Sequence, residues 1–230
     1  MMLRRSILLG RRARRPTRYD ASMTPDDLLD HWFGRAVESP AGLDAQMGLW
    51  FGSDADGPED AARRAAELAR RFGGMAQAAA AGELDEWAAT PRGRLALVLL
   101  LDQLPRNLHR GTARAFECDA AARRLTVEGL DLGHDRALHP LERLFLFLPL
   151  EHSESLADQE RCVALFEALE REAPPGFEKA FAGFTRYARA HRDIVARFGR
   201  FPHRNRALRR KDTAEEARWL AGDAPTFGQR

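Results

Sequence analysis

Residues 177–198 read FEKAFAGFTRYARAHRDIVARF. The apolar residues recur at alternating spacings of four and three, and one histidine lies in the same register. The members of this series are Phe177, Phe181, Phe184, Ala188, His191, Val195 and Phe198. Because an α-helix turns once in about 3.6 residues, the series forms one apolar seam along one face. The segment therefore predicts a long amphipathic helix with a histidine in its buried stripe.

Helix signals of the same kind continue outward along the chain. Thr24-Pro25, Thr90-Pro91 and His139-Pro140 each place a proline at a helix start, and Thr213 with Glu216 forms a T-x-x-E capping box. The predicted helices cover about 25–36, 59–72, 74–81, 91 to near 105, 112–129, 140–150, 153 or 155 to 170, 177–198 and a short segment after 213. No stretch alternates with period two. We therefore predict an all-α fold, a single domain of paired antiparallel helices over residues 23–230.

The composition excludes several classes of protein. Of 230 residues, 44% are hydrophobic, so the chain can bury a core. Cys118 and Cys162 form no C-x-x-C pair, so we expect free thiols and no metal or cofactor. The longest apolar runs, 95–101 and 144–150, are far shorter than the roughly 20 residues that span a bilayer. A cytoplasmic protein without a membrane span is expected.

Charge is segregated along the chain, although the net charge is only +2. Residues 1–22 carry seven arginines and one acid, and residues 186–211 carry nine arginines, one lysine and one acid. Residues 1–22 have three interpretations: a disordered basic extension, a weak organelle-targeting segment, or an incorrectly assigned start. The helix start at Thr24-Pro25 favours the last, with Met23 as the initiator. The second basic stretch indicates where an anion can dock.

The block with the most specific chemistry is 197–205, RFGRFPHRN, which Gly199 and Pro202 mark as a loop. Its polar residues are Arg197, Arg200, His203, Arg204 and Asn205. An arginine fork binds two oxygens of a carboxylate or phosphate at once, so we predict that this loop binds such a ligand. The alternative is that these arginines neutralise acids of the chain, such as Asp102 or Glu151.

Asp102 follows Leu95 and Leu99 at helical spacing and so points toward the core. A buried carboxylate is costly unless a cation pairs with it. The segment between Pro105 and Gly111 supplies cations and an amide. These residues are Arg106, Asn107 and Arg110. The pattern is equally consistent with a structural ion pair and with a ligand site.

Several histidines and carboxylates are candidates for acid–base chemistry. They are His152, His191, His203, Asp102 and Glu151. For His191, a core histidine with one satisfied hydrogen bond is the commoner explanation. Glu151 and His152 end a leucine-rich helix, but their spacing matches no metal-binding motif. The catalytic residues, if there are any, stay unassigned among these candidates, and no reaction class follows.

Several ungapped motifs extend over most of the chain. They are HWFG at 31–34, LDQLPRN at 101–107, RGTARAF at 110–116, ER at 142–143, PLEHSE at 149–154, DQ at 158–159 and the block 197–205. Together they resemble a bacterial family known as domain of unknown function 924, over residues 24–222. The resemblance implies an all-helical fold similar to tetratricopeptide-repeat domains, in a soluble protein with no known activity. The chain departs from the family pattern at Arg209, where the pattern has glycine after Leu208.

Three functions remain open on this evidence. The first is a helical domain whose Arg/His-lined pocket binds a small carboxylate or phosphate ligand, or an acidic peptide. The second is an enzyme that uses a histidine in that pocket as acid or base, with Asp102 or Glu151 to orient it. The third is a protein-interaction module, by analogy with tetratricopeptide domains, with Trp32, Trp50 or Trp219 exposed. Nucleic-acid binding is less favoured, because no groove-reading motif accompanies the basic helix.

Overall fold

The computed structural model describes residues 20–52, 57–222, 224–225 and 227. Its helices are α1 (Pro25–Phe33), α2 (Pro40–Phe51), α3 (Pro58–Ala80), α4 (Pro91–Val98), α5 (Leu104–Leu108), α6 (Asp119–Asp131), α7 (Pro140–Glu151), α8 (Leu156–Arg171), α9 (Glu178–Phe198) and α10 (Ala214–Leu220). A π turn, Leu99–Gln103, joins α4 to α5. These residues contain no β-strand, so the all-α prediction is confirmed. The tetratricopeptide-like arrangement stays a prediction, and most of the predicted extension 1–22 lies outside the described residues.

The helix starts that the sequence signals indicate are confirmed. The hydroxyls of Thr24, Thr90 and Thr213 each accept the backbone N–H three residues further on. Prolines follow Thr24 and Thr90 at the first helical positions, where a missing N–H is harmless. Each cap satisfies one of the N–H groups that a helix start leaves free.

The structure differs from the sequence prediction in α2 and α3. Helix α2 was not predicted, although Ser39 caps it and Pro40 occupies its first position. Helix α3 is continuous where a break between 72 and 74 was predicted. Two glycines cost about 1 kcal/mol each in a helix. Burial of Phe72 and Met75 on either side of them favours the unbroken helix.

The predicted helix boundaries near Gly129 and Pro105 are also wrong. Helix α6 continues past Gly129, which is needed for packing, since a β-carbon there would lie 2.6 Å from Arg94 Cδ. The segment after Thr112 is a 3₁₀ turn, and α6 begins only at Asp119. The helix at Pro105 does not stop but continues through the π turn into α5.

An aromatic cluster fixes the helices that surround the site. Phe145 of α7 lies with its ring centroid 6.0 Å from Trp32, 5.3 Å from Phe33 and 4.7 Å from Trp50. This cluster joins α1, α2 and α7. Helix α9 packs on α8 through its apolar seam, and His191 of that seam is buried as its register predicts. No helix in the described ranges is long and apolar enough to cross a bilayer.

Arg209 lies in the loop between α9 and α10 with φ at 55°, in the left-handed region that favours glycine. The N–H of Arg210 donates to the carbonyl of Asn205 across this turn, at 2.8 Å. The glycine of the family pattern at this position is therefore explained by backbone geometry. The chain keeps the same turn with arginine, against a steric cost of roughly 1–2 kcal/mol.

Candidate functional site

A π turn shapes the helical segment at the centre of the site. The N–H of Leu104 donates to the carbonyl of Leu99, five residues back, and the next residue, Pro105, has no N–H to donate. The wider turn lets the chain continue past the proline into α5. Such turns occur frequently at functional sites, because they redirect the side chains that follow.

The side chains of α5 fold back onto the π turn. Arg106 Nη1 donates to the carbonyl of Asp102 at 2.9 Å, and Asn107 Nδ2 donates to the carbonyl of Gln103 at 3.0 Å. Both side chains are therefore held in fixed positions by backbone oxygens.

Asp102 is completely buried, and three side chains contact its carboxylate. His152 Nδ1 lies at 2.7 Å, Arg106 Nη1 at 3.1 Å and Gln103 Nε2 at 2.6 Å. Burial opposes ionisation, but Arg106 and His152 outweigh it and hold the pKa of the Asp102 carboxyl well below its usual value. An ionised carboxylate only accepts, so His152 Nδ1 is the donor.

Arg106 joins Asp102 to a second carboxylate, Asp119 at the start of α6. Two nitrogens of its guanidinium donate to the two Asp119 oxygens at 2.8 and 2.9 Å. Arg204, also buried, lies 3.5 Å from the same carboxylate and donates to the carbonyl of His152 at 3.0 Å. Burial, followed by the charge of Arg106, lowers the pKa of Arg204 to about 10. The pairs connect α5, α6 and the end of α7.

A second histidine–carboxylate pair, His191 and Glu151, lies beside the first. His191 Nδ1 donates to the carbonyl of Tyr187 at 2.9 Å and lies 3.4 Å from Glu151 Oε1. Burial, followed by the negative charge of Asp102, raises the pKa of Glu151 to about 8. Burial also lowers the pKa of His191 well below its ordinary value. Burial, followed by the positive charge of Arg106, lowers the pKa of His152. Near pH 7 these two histidines are thus neutral, and Glu151 is mostly protonated.

Both pairs adjoin a cavity of about 390 Å³. Its lining consists of Met47, Trp50, Phe51, Gln103, Arg106, Asn107, Arg110, Leu144, Leu148, Glu151, His152, Phe166, Phe184, Tyr187, His191 and Phe227. The polar members come from the segment around α5 and from the adjoining parts of α7 and α9. The cavity lies within the size range of small-molecule sites, and a mostly apolar lining with a few polar groups is typical of them.

A family described as bacterial protein of unknown function (DUF924) matches residues 28–224. The chain belongs to the DUF924 family. A solved structure of a protein of unknown function from Agrobacterium tumefaciens, ATU0120, is 38% identical and has a TM-score of 0.68. The similarity covers 85% of this chain and 96% of that chain. No curated protein matches the sequence. The family resemblance found in the sequence motifs is thereby confirmed.

In this DUF924 member, the structure brings together part of the predicted site. Of the predicted ligand-binding residues, Arg106, Asn107 and Arg110 line the cavity. Of the acid–base candidates, Glu151, His152 and His191 line it, and Asp102 lies behind His152 in hydrogen-bonding contact. The expected pairing of Asp102 with Arg106 is present.

The block 197–205 does not contribute to the cavity lining. Its polar residues, Arg197, Arg200, His203, Arg204 and Asn205, are all absent from that lining. Arg197 pairs with Glu215 at 2.8 Å, and Arg200 pairs with Glu216 at 2.6 Å. Both partners lie on α10, so Arg197 and Arg200 connect the loop to the last helix and do not pair with Glu151.

Asn205 of that loop belongs to a network of hydrogen bonds and ion pairs with the residues that follow it. Asn205 donates to Asp212 at 2.7 Å and accepts from Arg210 Nε at 2.8 Å. Arg210 also binds both oxygens of Glu154 at 2.7 and 2.9 Å. His203 is partly buried, and burial lowers its pKa to about 3. These contacts give the conspicuous motif a structural explanation.

Several residues of the site were not predicted from the sequence. Asp119 binds both Arg106 and Arg204, but an aspartate at a helix start is ordinary and gave no signal. Of the aromatic lining, Trp50 and Phe51 come from α2, which was not predicted, and Phe227 lies near the end of the described chain. The Phe227 ring stacks on His191 at a centroid distance of 3.6 Å.

Proposed function

We propose that this protein binds a small carboxylate or phosphate ligand in the cavity, with Arg110 as the cationic anchor. The observation that supports this function is the environment of Arg110. Arg110 lines the cavity and pairs with no carboxylate among the described residues, whereas Arg106 is neutralised by Asp102 and Asp119. Arg110 is exposed to solvent, and partial burial followed by the charge of Arg64 lowers its pKa, so a bound anion would favour its charged form.

Two neighbours of Arg110 support the same proposal. Asn107 lines the cavity three residues before it in the chain, and its side-chain Oδ1 has no donor among the described residues. Glu151 lines the cavity with a buried Oε2 that lacks a hydrogen-bond partner in the same part of the chain. Since Glu151 is mostly protonated near pH 7, it can donate a hydrogen bond to a ligand oxygen. A buried polar atom without a partner is uncommon in a folded protein.

The test is a thermal-shift screen with acetate, octanoate and inorganic phosphate. A ligand that binds only the folded chain stabilises it by about 2.7 kcal/mol at 100 times its Kd. Arg110→Gln should weaken binding by roughly 10- to 100-fold, the effect of losing a charged hydrogen bond of about 1.5–3 kcal/mol. Arg114→Gln is the matched control, because Arg114 is exposed and lies outside the cavity lining.

Equal affinities of Arg110→Gln and the wild-type protein would refute the proposed anchor. Melting temperatures that none of the three anions changes would refute the anion site itself. In that case the polar groups of the cavity would have a structural role alone.

A second candidate function is acid–base catalysis, which the Asp102–His152 pair favours. The ionised carboxylate accepts from Nδ1 at 2.7 Å, so the neutral ring carries its lone pair on Nε2. Nε2 has no hydrogen-bond partner among the described residues, and the ring lines the cavity. A histidine oriented in this way can act as a general base toward a bound substrate.

This candidate is tested with an extract of small molecules from bacterial cells. Mass spectrometry should detect a compound that the wild-type protein consumes and that His152→Gln leaves unchanged. His203→Gln is the control, because His203 is also shielded from solvent but lies outside the cavity lining. Identical profiles for wild-type and His152→Gln would count decisively against catalysis by His152.

The other two functions receive less support. Trp32 and Trp50 are buried in the core, and Trp219 is half-buried, so they do not form the exposed aromatic groove expected of an interaction module. The basic stretch 186–211 is largely occupied by internal ion pairs. Its pairs among the described residues are Arg189–Glu167, Arg192–Asp193, Arg197–Glu215, Arg200–Glu216, Arg204–Asp119 and Arg210–Glu154. Phosphates of a nucleic acid would have to compete with these carboxylates.

A further inference from the structure

The cavity combines a cationic group with exposed aromatic surface. Phe51 and Tyr187 are 45% and 59% exposed, and both line the cavity together with Arg110. Phe51 is held by the aromatic cluster, with its ring 6.0 Å from Trp50 and 6.5 Å from Phe184. Exposed apolar side chains that converge on one cavity indicate a binding surface. An inorganic anion alone would leave this surface in water.

Among the described residues, the cavity lining carries one arginine without an acidic partner. Arg106 pairs with Asp102 and Asp119, whereas Arg110 forms no ion pair with a carboxylate of the described residues. Glu151 contributes no full charge near pH 7, because burial raises its pKa to about 8. A singly charged anion balances Arg110, whereas a phosphate dianion would leave an excess of negative charge beside it.

We infer that the ligand is an amphipathic monocarboxylic acid, whose carboxylate pairs with Arg110 and whose apolar body packs against Phe51. The inference rests on the anion binding proposed above and specifies the chemical class of the ligand. The carboxyl of Glu151 donates to the ligand carboxylate through the Oε2 atom that otherwise lacks a partner. The apolar body gains roughly 25 cal/mol for each Å² of surface it removes from water.

The experiment measures the Kd of six probes by isothermal titration calorimetry at pH 7. Three are amphipathic acids: octanoate, 3-phenylpropionate and indole-3-acetate. The other three are acetate, inorganic phosphate and the uncharged 3-phenylpropan-1-ol. At least one amphipathic acid should bind about tenfold or more tightly than acetate, which corresponds to about 1.4 kcal/mol. Phe51→Ala should raise the Kd of that amphipathic acid about fivefold or more and leave the Kd of acetate unchanged. Arg110→Gln should raise the Kd of both that acid and acetate.

The outcomes separate this inference from the proposed function. If acetate and phosphate bind as well as all three amphipathic acids and Phe51→Ala has no effect, the anion site stands and the amphipathic class is wrong. If 3-phenylpropan-1-ol binds as tightly as 3-phenylpropionate and Arg110→Gln changes neither Kd, the anion site itself is wrong. Absence of heat for every probe refutes both. Leu132→Ala is the control for Phe51→Ala, since Leu132 is 64% exposed and lies outside the cavity.

Discussion

Asp102→Ala is expected to lower the free energy of unfolding by about 3–5 kcal/mol, the range for removing one partner of a buried ion pair. The carboxylate is completely buried and lies 3.1 Å from Arg106 and 2.7 Å from His152. Its removal takes a charge partner from Arg106 and the acceptor from His152 Nδ1. It also opens space between the α4–α5 segment and α7. Urea unfolding at pH 7, followed by tryptophan fluorescence, measures the loss.

Asp119→Ala is the matched control for this prediction. Asp119 binds the same guanidinium at 2.8 Å, but its side chain is 24% exposed, so water can partly replace it. Its removal should therefore destabilise the protein clearly less than Asp102→Ala. Asp102→Asn keeps the side-chain volume and isolates the effect of the charge. A loss below about 1 kcal/mol for Asp102→Ala would contradict a tightly paired buried carboxylate.

The features of this structure that depend on residues close together in the chain could be predicted from the sequence. The apolar seam of α9 and the proline and threonine signals at helix starts depend on neighbours within one or two turns. The proximity of Asp102 and Arg106 is equally local, since four residues along a helix bring two side chains together. Helix α3 shows where such reasoning fails, because burial of Phe72 outweighs the low helix propensity of the two glycines after it.

The partners of the loop arginines could not be predicted, for a physical reason. Arginine binds a ligand carboxylate and a glutamate of the chain with the same geometry. Arg200 pairs with Glu216, which the sequence identified only as part of a helix cap, and Arg210 pairs with Glu154 from a distant helix connection. Conversely, Arg110 has no position in the sequence that sets it apart from the others. The fold alone shows that Arg110 lines the cavity without an acidic partner among the described residues.

Glu151→Gln should remove the contribution of Glu151 to the pH dependence of the unfolding free energy. The pKa of Glu151 is about 8 in the folded protein and near 4.5 in an unfolded chain. Between these values the folded chain keeps a proton that the unfolded chain has released, so rising pH destabilises the fold by up to about 1.4 kcal/mol per pH unit. Glutamine has no proton to release. The unfolding free energy of Glu151→Gln relative to wild type should therefore rise steadily from pH 5 to pH 8, as measured by urea unfolding.

Glu154→Gln gives a control of opposite sign. Burial opposes ionisation of Glu154, but hydrogen bonds from Arg210 and from the N–H of Phe201 outweigh it and lower its pKa. Glu154 therefore contributes stability above about pH 4.5, and this contribution is lost as the pH falls. The unfolding free energy of Glu154→Gln relative to wild type should be negative and nearly constant from pH 5 to pH 8. The depressed histidine pKa values destabilise the fold below about pH 6.5 in every variant, so they largely cancel in these differences. A flat difference for Glu151→Gln over the same range would show that Glu151 is ionised at neutral pH, and its negative charge would then oppose a ligand carboxylate in the cavity.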